Sequence, residues 1–300
     1  MKKFILIFLS LLIFFLIIVV TFLSTKGYET DRFNSLITKQ VKTIEPNIEL
    51  SLEKIKIKLD IKKLNLFLST NSIRLDYAGI NLPIYEIKVY FDLLKIIKSE
   101  LNVNKIIIKN NEMNIKNIQE ILVRIKPSNF KSFVLNNISE GKIKSSFHFE
   151  FGKNFELIDY KVNGYIKKTN VNFGDKYNIK DINLNFISDN KITFINSIKA
   201  NFKGLPISGG KIKIDRSEGI SINGSLNTEL NNTNKEIEEL IFKYLKNDFL
   251  KKEIKISGNF LSNIDLKFDK NLKLKDYSYI LNGTFTDAEF LPKKELKNTL

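Results

Sequence analysis

Ile55-Lys56-Ile57-Lys58-Leu59-Asp60 sets the reading of this chain. Apolar and polar residues alternate through all six positions, and successive side chains of a β-strand point to opposite faces. The stretch therefore reads as a strand with one apolar and one polar face. The same period of two runs upstream through Ile48, Leu50 and Leu52, and downstream through Leu64, Leu66 and Leu68. Between these runs the phase slips by an odd step, which marks a bulge or a tight turn. Farther out the pattern returns in Ile87, Val89 and Phe91, in Phe147, Phe149 and Phe151, in Ile182, Leu184 and Phe186, and in Ile264, Leu266 and Phe268. Asn-Gly at 163–164, 223–224 and 282–283 signals turns between some of these runs, and Gly209-Gly210 after Pro206 reads as another. Strands joined by short turns pair antiparallel, with one face apolar.

Helical signals are few. Phe33, Leu36, Ile37, Val41 and Ile44 fall at helical spacing before Pro46, which predicts a short helix over 32–44. Asp92–Lys98 and Asn117–Val123 predict short crossing helices. Asn234–Lys246 carries Ile237, Leu240, Ile241, Tyr244 and Leu245 on one stripe. Lys153–Tyr160 resembles Lys270–Tyr277, and an Asn-Gly follows each, as in a repeated sheet unit.

The strongest helical signal is N-terminal. Phe4–Leu23 is a run of 20 residues interrupted only by Ser10 and Thr21, with no charge inside it. At about 1.5 Å per residue it reaches about 30 Å, the thickness of a hydrocarbon core. Lys2 and Lys3 precede it, which keeps the N-terminus in the cytoplasm by the positive-inside rule; Lys26 and Arg32 beyond it pull the other way. A cleaved signal has an apolar core of about 7–15 residues and a small-residue cleavage site. This run is longer, and Ser24-Thr25-Lys26 is a poor site, so the helix is expected to stay attached as an anchor. Either reading exports residues 27–300. The expected location is the inner membrane, single-pass, with the bulk of the chain periplasmic.

Composition narrows the function classes. The chain has 300 residues and no cysteine, so it has no disulfide framework and no thiolate chemistry. Its net charge is +15, but the lysines are scattered along alternating strands. No basic cluster interleaved with aromatics is present, which argues against nucleic acid. The one histidine, His148, lies between Phe147 and Phe149 on the opposite strand face and reads as a surface residue. No second His or any Cys stands at zinc-ligand spacing. There is no G-x-S-x-G elbow and no Walker loop. Neither cofactor nor metal is expected, and the chain is not expected to be an enzyme.

A long amphipathic sheet must bury its apolar face against something, and the helices are too few to cover this one. Either the sheet folds onto itself as a sandwich, or the face lines a groove. An open groove would exceed the few hundred Å² of apolar patch usual for a monomer, unless acyl chains occupy it. Ile55, Ile57, Leu59, Ile87, Val89 and Phe91 are the candidate lining.

The order of these features resembles the N-terminal part of AsmA-like proteins of Gram-negative bacteria, the YhdP and TamB type. The resemblance rests on the anchor Phe4–Leu23, the helix Arg32–Ile44, the strand Ile55–Asp60 and Asn65-Leu66-Phe67-Leu68. It continues through Leu82-Pro83, Ile87–Leu94 and Val103–Asn110, and covers about residues 1–125. Family members are typically much longer, so a full membrane-to-membrane span is not expected of this chain, and the ending Leu296–Leu300, without an obvious cap, reads as that of a fragment or a short member. The resemblance implies a mainly β fold: an N-terminal transmembrane helix followed by an elongated antiparallel, groove-like sheet with a few short helices. It divides the chain into a cytoplasmic tip (1–3), an anchor (4–23), a juxtamembrane helix (24–46), an AsmA-like β unit (47–125) and further β-groove repeats (126–300). The implied function is phospholipid transport toward the outer membrane, or outer-membrane assembly, with phospholipid acyl chains, the inner membrane and other envelope proteins as partners. The competing expectation is an anchored β-sandwich scaffold that binds another envelope protein and carries no lipid.

Overall fold

The computed structural model describes residues 2–63, 65–71, 73–92, 103–152, 156–173, 177–239, 253–269 and 273–291. Helix α1 (Lys2–Thr25) leads into β1 (Tyr28–Thr30), α2 (Asn34–Ile44), β2 (Ile48–Leu52), β3 (Ile55–Asp60) and β4 (Asn65–Thr70). Next come β5 (Ile73–Tyr77), β6 (Ile80–Leu82), β7 (Ile84–Asp92), β8 (Val103–Asn110), β9 (Met113–Asn114), α3 (Ile115–Arg124) and α4 (Asn129–Asn137). Eight long strands follow: β10 (Ile138–Phe151), β11 (Leu157–Phe173), β12 (Tyr177–Asp189), β13 (Ile192–Phe202), β14 (Leu205–Asp215), β15 (Ile220–Leu230), β16 (Glu253–Phe268) and β17 (Leu274–Leu291). The protein is mainly β, an N-terminal apolar helix followed by a long antiparallel sheet of 14 strands with a few short helices. The sheet order is β1-β3-β4-β7-β8-β10-β11-β12-β13-β14-β15-β16-β17, with β9 paired to β10, while β2-β5-β6 form a separate small sheet.

The chain forms two compact units. One comprises Met1–Met113 and Lys144–Val162, the other Asn114–Ile143 and Asn163–Leu300.

In the first unit, α1 is long and apolar enough to cross a bilayer, a property that a secretion signal shares. It ends where Gly27 takes a positive φ of 77° and its N–H bonds the Phe22 carbonyl at 2.9 Å, the left-handed C-terminal stop that favours glycine. The phase slips fall at a bend and a turn. The first falls between β2 and β3 and sends them to different sheets; the second falls between β3 and β4. Leu50, Leu75 and Ile80 are buried in the small sheet, and Ile55 and Phe91 in the large one.

In the second unit, Ser128 caps α4 by accepting from Lys131 N at 3.1 Å. Gln119 of α3 donates to the Val134 and Ile138 carbonyls and ties the two helices together. Residues 235–239 are helical, and Glu238 accepts from Ile254 N at 3.2 Å. Ile254 is fully buried.

Several expectations need correction. The Asn-Gly pairs 163–164, 223–224 and 282–283 are not turns: each lies inside a long strand, β11, β15 and β17 respectively. At Gly224 a Cβ would stand 2.8 Å from both Ile212 Cγ1 and Lys211 O, so the missing side chain admits the neighbouring strand. Gly283 has the same relation to the Phe260 ring. Gly209-Gly210 is not a turn either. It sits within β14 at a register shift against β15, with Gly210 at φ 156°. Helix α4 was not anticipated, because its apolar positions form no clear stripe. The helix expected at Asp92–Lys98 lies outside the described residues from 93 onward, as do residues 240–246 of the helix expected at Asn234–Lys246. The two similar segments fall at equivalent places. Each begins between two residues joined by one backbone bond, Gly152 N to Glu156 O at 2.8 Å and Asp269 N to Lys273 O at 3.0 Å, and each runs on into a very long strand.

Candidate functional site

The register assigns every residue of β3, β4, β7, β8 and the second half of β10 to a face. Ile57 pairs with Leu68, Leu68 with Val89, Val89 with Ile106, and Ile106 with Phe149. A second row runs Leu59–Leu66–Phe91, and a third joins Ile87 to Ile108 and Phe147. All six candidate residues therefore share one face of the first unit, with Leu66 and Leu68 filling the strand between β3 and β7. Ile55 is only 2 % exposed and Phe91 is buried, whereas Ile57, Leu59, Ile87 and Val89 each keep part of their surface accessible. Leu66, Leu68, Ile106, Ile108, Phe147 and Phe149 do the same. The Phe147 and Phe149 rings lie nearly parallel, 6.3 Å apart.

Those last six residues were missed as site residues. Leu66, Leu68, Phe147 and Phe149 carry the alternation that could have flagged them. Ile106-Ile107-Ile108 is a continuous apolar run, so only the ladder tells that Ile107 turns away.

The opposite face is polar and largely basic. Lys56 aligns with Ser69 and Lys88, then Ile107 and His148; Lys58 aligns with Phe67, Tyr90, Lys105 and Glu150. Phe67 and Tyr90 stack at 5.0 Å. Glu86 pairs with Lys109 at 2.7 Å and Lys88 at 3.0 Å. Burial pushes its carboxyl up, but the two ammonium hydrogen bonds outweigh it and hold the group below its ordinary value. Burial, with the Asp60 and Glu86 charges, raises Tyr90. His148 is half-buried rather than fully on the surface, with Nε2 3.1 Å from Ser146 Oγ. Burial lowers its pKa, helped by Lys105, Lys109 and Lys161.

The second unit carries comparable rows of apolar side chains. Phe186, Ile195, Ile212, Gly224, Ile264 and Tyr279 align across six strands. A parallel row joins Ile214, Ile222, Leu266 and Tyr277. These side chains stay partly accessible, and Tyr277 and Tyr279 are exposed. An open hollow of about 530 Å³ lies at the Gly224 notch beside Ile195 and Ile212. Among the described residues, no three His, Cys, Asp or Glu side chains gather where one metal ion could bind.

The arrangement can hold long apolar molecules along rows of aliphatic and aromatic side chains. The chain matches no known family model, no curated protein and no solved structure.

Proposed function

We propose that this protein is an inner-membrane-anchored, periplasmic member of the AsmA-like group, and that its apolar sheet face holds phospholipid acyl chains in transit toward the outer membrane or in support of outer-membrane assembly. The observation that carries the proposal is the row Ile57–Leu68–Val89–Ile106–Phe149, an unbroken apolar line across five strands whose members stay partly open to solvent. Aliphatic side chains on one face and lysines on the other let an acyl chain lie on the sheet while its headgroup stays in water. Each CH₂ withdrawn from water gains about 0.8 kcal/mol, so a tail leaves the face only for another apolar phase. Transfer is then passive sliding, with direction set by partners or by a lipid gradient.

The test places a photo-crosslinking amino acid at Val89 or Ile106, and at Lys88 or Ile107 on the other face, in the full chain in cells. Phospholipid adducts are expected from the first pair and not from the second. Protein adducts in place of lipid at Val89 would establish the scaffold reading instead.

A further inference from the structure

The end of the sheet nearest α1 has a chemistry of its own. Gly27 is buried against β3, where a Cβ would stand 2.7 Å from Lys58 Cγ and 2.8 Å from Ile57 O. The Lys58 ammonium donates to the Thr25 carbonyl at 3.2 Å, in the last turn of α1. β1 leaves the helix with Tyr28 opposite Ile57 and Thr30 opposite Ile55. β3 therefore runs back toward the helix, and the turn that follows it, Ile61-Lys62-Lys63, lies at the helix end of the sheet. Asp60 accepts from Lys62 N at 3.1 Å and Lys63 N at 3.3 Å and holds that turn in shape. Ile61 and Tyr28 are each 52 % exposed, and Lys26, Lys62 and Lys63 are exposed. Against these lysines and Lys58, the described ends of β3 and β7 at this edge bring Asp60 and Asp92, which align through Asn65.

We infer that the turn Ile61-Lys62-Lys63, with Lys26 and Tyr28, is a second point of membrane contact that seats on anionic phospholipid headgroups of the leaflet from which α1 emerges. The inference rests on reading α1 as an anchor. An exposed isoleucine followed by two lysines suits an interface, where the apolar tip enters the acyl boundary and the ammonium groups stay at headgroup level. Tyr28 has the amphipathic character of residues enriched at that depth. A chain held by both α1 and this turn presents the apolar face of β3, β4 and β7 at a fixed angle to the bilayer.

The absence of native cysteine makes the test direct. The variants Leu12→Cys, Ile61→Cys and Asn71→Cys, the last at the far end of β4, are labelled with an environment-sensitive dye. Each full chain is then reconstituted into phosphatidylcholine vesicles with or without phosphatidylglycerol. The label at position 12 should report lipid in both. The label at position 61 should shift to blue when phosphatidylglycerol is present, and Lys62→Gln with Lys63→Gln should abolish that shift. The label at position 71 should report water. A water-like signal at 61 beside a lipid signal at 12 overturns the contact and leaves the anchor standing. A shift at 61 that ignores both phosphatidylglycerol and the lysines overturns headgroup recognition. A water-like signal at 12 removes the anchor and the inference together.

Discussion

Val89 on β7 stands directly opposite Leu68 on β4, at the centre of the apolar row and partly open to solvent. Ile55, two residues before Ile57 on the same face, is buried. Charge introduced at these two places has different consequences. At Val89 an aspartate keeps water, so Val89→Asp is expected to melt within about 1–3 kcal/mol of the parent while co-purified phospholipid falls sharply. Ile57→Asp should behave alike. At Ile55 the carboxylate is buried without a partner, costs several kcal/mol, and should abolish a cooperative transition. Thermal melting with lipid mass spectrometry checks all three. Collapse of Val89→Asp and Ile57→Asp together would mean a packed sandwich core.

Gly224 fills a notch that another residue cannot share. A methyl group there meets Ile212 Cγ1 and Lys211 O at 2.8 Å, so Gly224→Ala should cost about 1–3 kcal/mol through overpacking. Gly209→Ala, whose nearest neighbour is Asn227 Nδ2 at 3.4 Å, should be close to neutral. Equal melting temperatures for the two variants would contradict the close approach of β14 and β15.

Asn110 is buried and accepts from both Ser145 N at 3.0 Å and Ser145 Oγ at 2.7 Å. Asn110→Ala strands a buried backbone donor and should cost about 1–3 kcal/mol. Ser145→Ala removes one donor with its demand, and should cost about 0.5–1.5 kcal/mol. Chemical denaturation of both variants tests the order.

Acid should weaken the first unit in two stages. His148 has a folded-state pKa below its ordinary 6.5, so the unfolded chain takes up that proton first. Stability is intact above about pH 6.5 and falls as pH drops through the window below it. Glu86 is lowered from 4.5, so its contribution is present above that value and is lost as pH falls through the folded-state pKa. His148→Gln should remove the upper stage and leave the lower one. Melting temperatures followed from pH 7 to pH 3 would show it, and an unchanged upper stage would acquit the histidine.

Strand existence was legible because burial on one face writes period two into the sequence, as in Ile55–Asp60 and Ile87–Phe91. The six candidate residues came out on one face for that reason. Register was not legible: nothing local tells that Ile106 rather than Ile107 joins Val89. Strand length was misread at Asn163, Asn223 and Asn282, because Asn-Gly favours a tight turn only where the chain must reverse. Inside β15 and β17 the same glycines serve close approach to Ile212 and Phe260, a long-range demand invisible to a short window. Alternation already set Lys56, Lys58 and Lys88 opposite the aliphatic residues of their own strands, but only the ladders brought them onto one face with Lys105 and Lys109.

From β12 to β17 the order of strands in the sheet is their order along the chain. Each strand there bonds only to the one made before it and the one made after it. Such a ladder is close to one-dimensional, and its stability is a sum of nearest-neighbour terms. A chain emerging N-terminus first can lay every new strand on an edge already in place, without waiting for a distant partner to be synthesised. Assembly can then keep pace with delivery, and exposure to hydrogen exchange should be graded strand by strand along β12 to β17 instead of being lost in one step.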